Sequence, residues 1–278
     1  MVKIALSAGH GPDTPGKRSP DGFREFQFNY PTAEFVVDYL NEYENVSILR
    51  VYEKTRDVPL AERTTKANNW KADIYISIHY NAAGPGGWYD AAHGIETIVY
   101  SKSSSNTGFK VASQIQPKLI AATGLRDRGV KAMPGLWEMR KTNMGAALAE
   151  CGFMTNRNEK ALMMKTSYQQ KCARAIVDGI VARYGLKRKS GTAPKPSPTP
   201  SKPSTGKLFR VQVGAFGSSA NANRFLAKVK ASGYKDAWIK TSNGLHRIQV
   251  GAFSKHENAQ NLVNELKKKG YNDAWITN

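Results

Sequence analysis

Apolar positions along the first two thirds of the chain follow two alternating rhythms. Short β-branched runs, "KIALSAGH", "NVSILRVYE", "ADIYISIHYN", "GIETIVYS" and "MGAALAECGF", predict strands buried on both faces. Between them, "PTAEFVVDYLNEY", "LAERTTKANNW" and "NTGFKVASQIQPKLIAAT" repeat their apolar residues at helical spacing, and "EKALMMKTSYQQKCARAIVDGIVARYG" closes the series with one or two helices. Pro31 is expected to open the first helix, because proline fits the first helical position best. This order predicts an α/β domain with helices packed around a mixed sheet, spanning residues 1–186.

The pattern then stops. Residues 187–207, "KRKSGTAPKPSPTPSKPSTGK", hold five prolines and almost no apolar side chains. That composition predicts an extended, semi-rigid spacer able to separate two modules by up to roughly 60 Å. Residues 208–278 contain a duplication, with "FRVQVGAFGSSANANRFLAKVKASGYKDAWI" echoed 37 residues later by "HRIQVGAFSKHENAQNLVNELKKKGYNDAWI". Each copy reads strand, amphipathic helix, Gly-Tyr turn, strand, which predicts a small α+β ferredoxin-like βαββαβ domain with one sheet face free of helices. Strand parity sets Val211, Val213, Ile248 and Val250 toward the helices. Gln212 and Gln249 are thereby expected on the open face, able to bond a ligand.

Composition narrows the partners. The net charge is +19 over 278 residues, and residues 187–278 hold 17 Lys/Arg against 4 Asp/Glu. Such a tail suits an anionic partner: nucleic acid, a membrane or a phosphate-bearing wall polymer. Nucleic-acid binding by a βαββαβ sheet calls for aromatics within the central strands, where this chain offers Gln and Arg. Neither a signal-peptide core nor a membrane-length apolar run occurs, so synthesis in the cytoplasm is expected, without membrane partnership and followed by release to the site of action. Two cysteines, Cys151 and Cys172, are too few for a disulfide framework. A monomer is expected.

Chemistry collects where strands end. Three buried runs terminate in His10, His79 and Glu150, and ligands of open α/β sheets sit beyond the carboxyl ends of strands. Two imidazoles and a carboxylate suit a hydrolytic zinc site, with a further carboxylate as general base. His93 is a rival third ligand. Cys151 follows Glu150 in the strand, so its thiol is expected on the opposite face.

"SAGHGP", "GFREFQFN", "EKTRDVPLAERTTKANNWKADIYISIHYNAA" and "AALAECGFMTN" together resemble the type 3 family of N-acetylmuramoyl-L-alanine amidases, zinc enzymes of cell-wall turnover and phage lysis. The resemblance implies a zinc ion held by His10, Glu25 and His79, with Glu150 as the catalytic carboxylate. Arg140 lies where the family carries an arginine before the catalytic strand, either to hold a substrate carboxylate or as a solvated surface charge. Periodicity alone leaves Glu25 a solvated charge, with Glu34 as a substitute. The duplicated "VQVGAF" unit resembles the sporulation-related repeat (SPOR) domain, which implies binding to peptidoglycan glycan stripped of stem peptides. A wall-binding protein without catalysis and a nucleic-acid binder are the competing readings.

Overall fold

A computed structural model describes residues 1–190, 209–234, 237–242, 244–253 and 256–277. The chain forms two compact units, Met1–Pro200 and Ser201–Asn278. Most of the expected spacer lies outside the described residues. Its first residues belong to the first unit: the Glu44 and Lys189 amides donate to the Lys187 and Glu42 carbonyls, and Arg188 pairs with Glu42.

In the first unit, β1 (Val2–Ala8), β2 (Val46–Arg50), β3 (Ile74–Asn81), β4 (Ile95–Val99), β5 (Asp127–Ala132) and β6 (Gly145–Phe153) form one sheet in the order β2-β1-β3-β6-β4-β5. Only β4 and β6 pair antiparallel, so the sheet is mixed, as expected. β3 and β6 sit at its centre and run parallel. Ile74, Ile76 and Ile78 pack into one core with Ile4, Leu6, Val36 and Ile176, beneath α1 (Phe26–Leu40), α3 (Thr107–Thr123) and α6 (Thr166–Tyr184). Tyr75 and Leu148 enter a second core with Ala67 and Met139, on the face covered by α2 (Leu60–Asn69) and the short α4 (Trp137–Lys141). The buried runs therefore have apolar contacts on both faces, which explains their lack of alternation. α5 (Arg157–Met163) follows β6.

Two elements have no counterpart in the sequence reading. β5, "DRGVKA", is an edge strand that is at most half-buried, so it carries little apolar signal. α4 is only five residues long, too short for periodicity to register. The start of α1 is a correction: the helix begins at Phe26 and contains Pro31. Proline there removes the amide that would bond the Gln27 carbonyl, and Gln27 is exposed, so that carbonyl can turn to water.

The second unit is β7 (Phe209–Phe216), α7 (Ser219–Ala231), β8 (Trp238–Ser242), β9 (Leu245–Phe253), α8 (His256–Lys268) and β10 (Trp275–Thr277). Its strands are antiparallel in the order β10-β7-β9-β8, which is the expected βαββαβ arrangement. Val211, Val213 and Ile248 enter a core with Ala222, Val229, Val263 and Leu266 of the two helices, leaving the other sheet face uncovered by helices.

Candidate active site and glycan-binding face

β1 ends at Ala8, and two residues later His10 adopts a left-handed backbone conformation, φ 62°. That geometry is costly for a residue with a Cβ, so the surroundings must enforce it. Arg63 does so from α2. Its guanidinium, 1 % exposed, donates to the carbonyls of Ala8 and His10, both at 2.5 Å, to that of Val58 at 2.8 Å and to the Ser7 hydroxyl at 3.0 Å. The Gly11 amide donates to the Thr14 hydroxyl at 2.7 Å.

Glu25 is the N-cap residue of α1 and is 3 % exposed, far from the solvated charge that local periodicity suggests. One carboxylate oxygen lies 3.1 Å from His10 Nε2, and the other 3.0 Å from His79 Nδ1. That second oxygen also accepts from the Tyr80 amide and the Asn29 side chain, each at 3.0 Å. Burial raises the Glu25 pKa, but the two imidazoles outweigh it and hold the carboxyl far below the ordinary range. His10, Glu25 and His79 each offer a ligand atom, and the three atoms lie within 4.8 Å of one another. Glu34 and His93 are not in this cluster: Glu34 is occupied by Arg50 and by the Tyr52 hydroxyl.

Glu150 stands beside His79 in the parallel register of β3 and β6, and opposite Glu96 of β4. Its Oε2 is buried and has no hydrogen-bond partner among the described residues. Burial, then the charges of Glu25 and Glu96, push its pKa up to about 8, with His79 acting in the other direction. Glu96 is held by Arg128 at 2.5 Å and Lys131 at 2.6 Å, as suits a structural strand residue. Cys151 lies across the sheet in the first core, as strand parity requires.

All four residues line one cavity of about 570 Å³, with Arg63 and Glu138 beside them and Val58, Leu60, Leu136 and Trp137 as an apolar wall. Arg140 does not line it. One helical turn further along α4 it is exposed, 5.9 Å from the Trp137 ring, and borders a separate depression near Asn143 and Tyr100. Missing from the sequence reading are Arg63, which looks like an exposed helix charge, and Glu138. The latter is 5 % exposed, and Oε1 accepts the Tyr75, Ser77 and Ser7 hydroxyls at 2.7, 3.1 and 3.2 Å. Burial raises Glu138, yet His79, the Tyr75 hydroxyl and Arg63 together hold its pKa down to about 2.

The sequence model of the N-acetylmuramoyl-L-alanine amidase family matches residues 4–182. The chain belongs to that family. It is 32% identical over 238 residues to N-acetylmuramoyl-L-alanine amidase CwlM of Bacillus licheniformis, covering 84% of this chain and 83% of that protein. It is 32% identical over 235 residues to the sporulation-specific N-acetylmuramoyl-L-alanine amidase of Bacillus subtilis, covering 84% and 83%. Identity to the endolysin of Bacillus phage SPP1 is 36% over 219 residues, 77% of each chain. The catalytic domain of CwlV, an N-acetylmuramoyl-L-alanine amidase from Bacillus (Paenibacillus) polymyxa var. colistinus, superposes with a TM-score of 0.60 at 28% identity, covering 67% of this chain and all of that one. A SPOR domain matches residues 205–278.

On that second unit, the uncovered sheet face departs from expectation in one respect. Gln212 and Gln249 pair with each other, but they are only 2 % and 3 % exposed. Trp275 is in register beside Gln212, and Trp238 beside Gln249, each about two-fifths exposed. Large side chains flanking a cross-strand pair screen it from solvent, so the indoles form the accessible surface of this row.

Proposed function

We propose that this chain is a zinc-dependent N-acetylmuramoyl-L-alanine amidase, hydrolysing the amide between the lactyl group of muramic acid and the L-alanine of the stem peptide. The observation that carries this reading is the convergence of His10, Glu25 and His79 within 4.8 Å, beside Glu150, in one cavity at the carboxyl end of the sheet. Two nitrogens and one carboxylate oxygen are a hydrolytic zinc donor set, and a carboxylate buried between two imidazoles fits a cation. Bound there, zinc would supply a Lewis acid for the carbonyl and lower the pKa of its water.

The chain's own groups supply the rest. Glu150 Oε2, buried and free of hydrogen bonds among the described residues, takes the proton of the attacking water and returns it to the departing alanine nitrogen. Arg63 and Asn29 hold the turn after β1 that carries His10, since they bond the His10 and Gly9 carbonyls. The apolar wall of Val58, Leu60, Leu136 and Trp137 keeps water from its part of the cavity.

The second unit binds peptidoglycan, and its indole-flanked row suits sugar rings stacked on Trp238 and Trp275. Glycan stripped of its peptides is the product of the first unit, so this unit would hold the enzyme where it has already worked. A monomer acting at the wall, without a nucleic-acid or membrane partner, is part of the same reading. Labelling of new amino termini in purified sacculi tests it: alanine appears if the amide is cut, and reducing sugars appear instead if the glycan is cut.

A further inference from the structure

Glu138 is a buried carboxylate that the hydrolysis above leaves without a task. Its Oε1 is cradled by three hydroxyls, from Tyr75, Ser77 and Ser7. Its Oε2 lies 3.8 Å from His79 Nε2. That nitrogen is buried and has no hydrogen-bond partner among the described residues, while Nδ1 of the same ring faces Glu25 at 3.0 Å.

A neutral imidazole carries one proton and one lone pair. If the Nδ1 lone pair goes to a metal, the proton must sit on Nε2, and a buried N–H without an acceptor is destabilising. Glu138 Oε2 is the acceptor aimed at that position, and a displacement of about 0.9 Å brings the pair to ordinary hydrogen-bond length. The hydroxyl cradle matters because it fixes the carboxylate, holding Oε1 with three donors, while Oε2, which the Ser77 hydroxyl reaches only at 3.4 Å, keeps a lone pair for the ring.

We infer that Glu138 is the positioning residue of His79, fixing the Nε2–H tautomer so that Nδ1 is presented to the metal. Resting on the zinc reading of the cluster, this gives the centre an outer carboxylate of the kind that strengthens histidine ligation. A five-residue helix, α4, exists in this account to carry that carboxylate inward.

The test uses the full chain with zinc as the probe. Zinc affinity is measured by competition with a chromophoric chelator for wild type, Glu138→Gln and Glu138→Leu, and the His79 tautomer is read by nitrogen-15 NMR in zinc-loaded wild type. The expected results are an Nε2–H tautomer, a 10- to 100-fold loss of affinity in Glu138→Leu and a smaller loss in Glu138→Gln, which keeps an acceptor oxygen. An Nδ1–H tautomer, or zinc affinity unchanged in both variants, overturns the inference while leaving the zinc centre standing. If Glu138→Leu does not fold, the tautomer and the Gln variant decide. Wild type that takes up no stoichiometric zinc overturns the metal reading itself, and this inference with it.

Discussion

Glu150 and His79 are in-register neighbours across the parallel pair β6–β3, the central strands of the sheet. Both side chains therefore leave the sheet on the same side, and their spacing is set by backbone hydrogen bonds between strands, not by flexible loops. Glu25 comes from the N-cap of α1 to complete the cluster, so its position depends on a helix docking correctly on that sheet.

The pH dependence of the metal-free protein should carry the signature of Glu150. Its carboxyl is raised from 4.5 to about 8, so its contribution to stability is full below the unfolded value and is lost as pH rises through 8. Thermal unfolding in chelator should show the first unit losing ~2–4 kcal/mol, roughly 5–10 °C, between pH 5 and pH 9. Glu150→Gln should lessen that loss. The remainder belongs to His79: burial pushes its imidazole down, but Glu138 and Glu25 hold it up at about 10, so its stabilisation also fades as pH rises from 6.5 toward 10. Glu138, held at about 2, has the opposite sign: its stabilisation is present above about 4.5 and disappears as pH falls toward 2. Identical alkaline slopes in wild type and Glu150→Gln would contradict the assignment.

Gly9 packs against the face of the His79 ring, and a Cβ built at this position overlaps the imidazole. Gly9→Ala should therefore rotate His79 away from Glu25. Zinc affinity measured by chelator competition should fall at least tenfold, with a lower Tm. Undiminished affinity would show that the ring has room the structure does not give it.

Glycan retention should depend on the indoles more than on the charges around them. Trp238→Ala and Trp275→Ala should each weaken pull-down on peptide-stripped sacculi by roughly tenfold, about 1.4 kcal/mol. Cleavage of a soluble muramoyl-peptide by the first unit should be unaffected. Equal binding by wild type and the double variant would move the glycan site off this face.

Arg140 supplies a control. It is exposed and outside the cavity, so Arg140→Ala should leave kcat/KM within about twofold of wild type. A loss of tenfold or more would bring it back to the substrate.

Much of the site could be read from strand endings alone. His10, His79 and Glu150 each follow a buried apolar run, and an ionisable group at such a point needs a partner or a function. Glu25 cannot be read this way, because it caps a helix that starts at Phe26, ahead of the proline expected to open it. Its burial comes from tertiary contacts with two histidines distant in sequence. Arg63 and Glu138 sit on helices where a charge ordinarily faces water, and only the docking of α2 and α4 onto one sheet face buries them. Gln212 and Gln249 are expected to be open to a ligand, yet cross-strand register sets a tryptophan beside each, and register between strands is not visible in a single strand's alternation.

The central claim is that a metal-assisted amidase uses Glu150 to move the proton. Its most direct measurement compares zinc-replete wild type with Glu150→Gln carrying the same measured zinc content, counting new alanine amino termini released from sacculi. The account predicts amide cleavage by wild type, abolished by chelator and restored by zinc. It predicts a rate lower by about 10²–10⁴ in the variant at full zinc occupancy. A Glu150→Gln protein as fast as wild type, or cleavage indifferent to chelator, would contradict it.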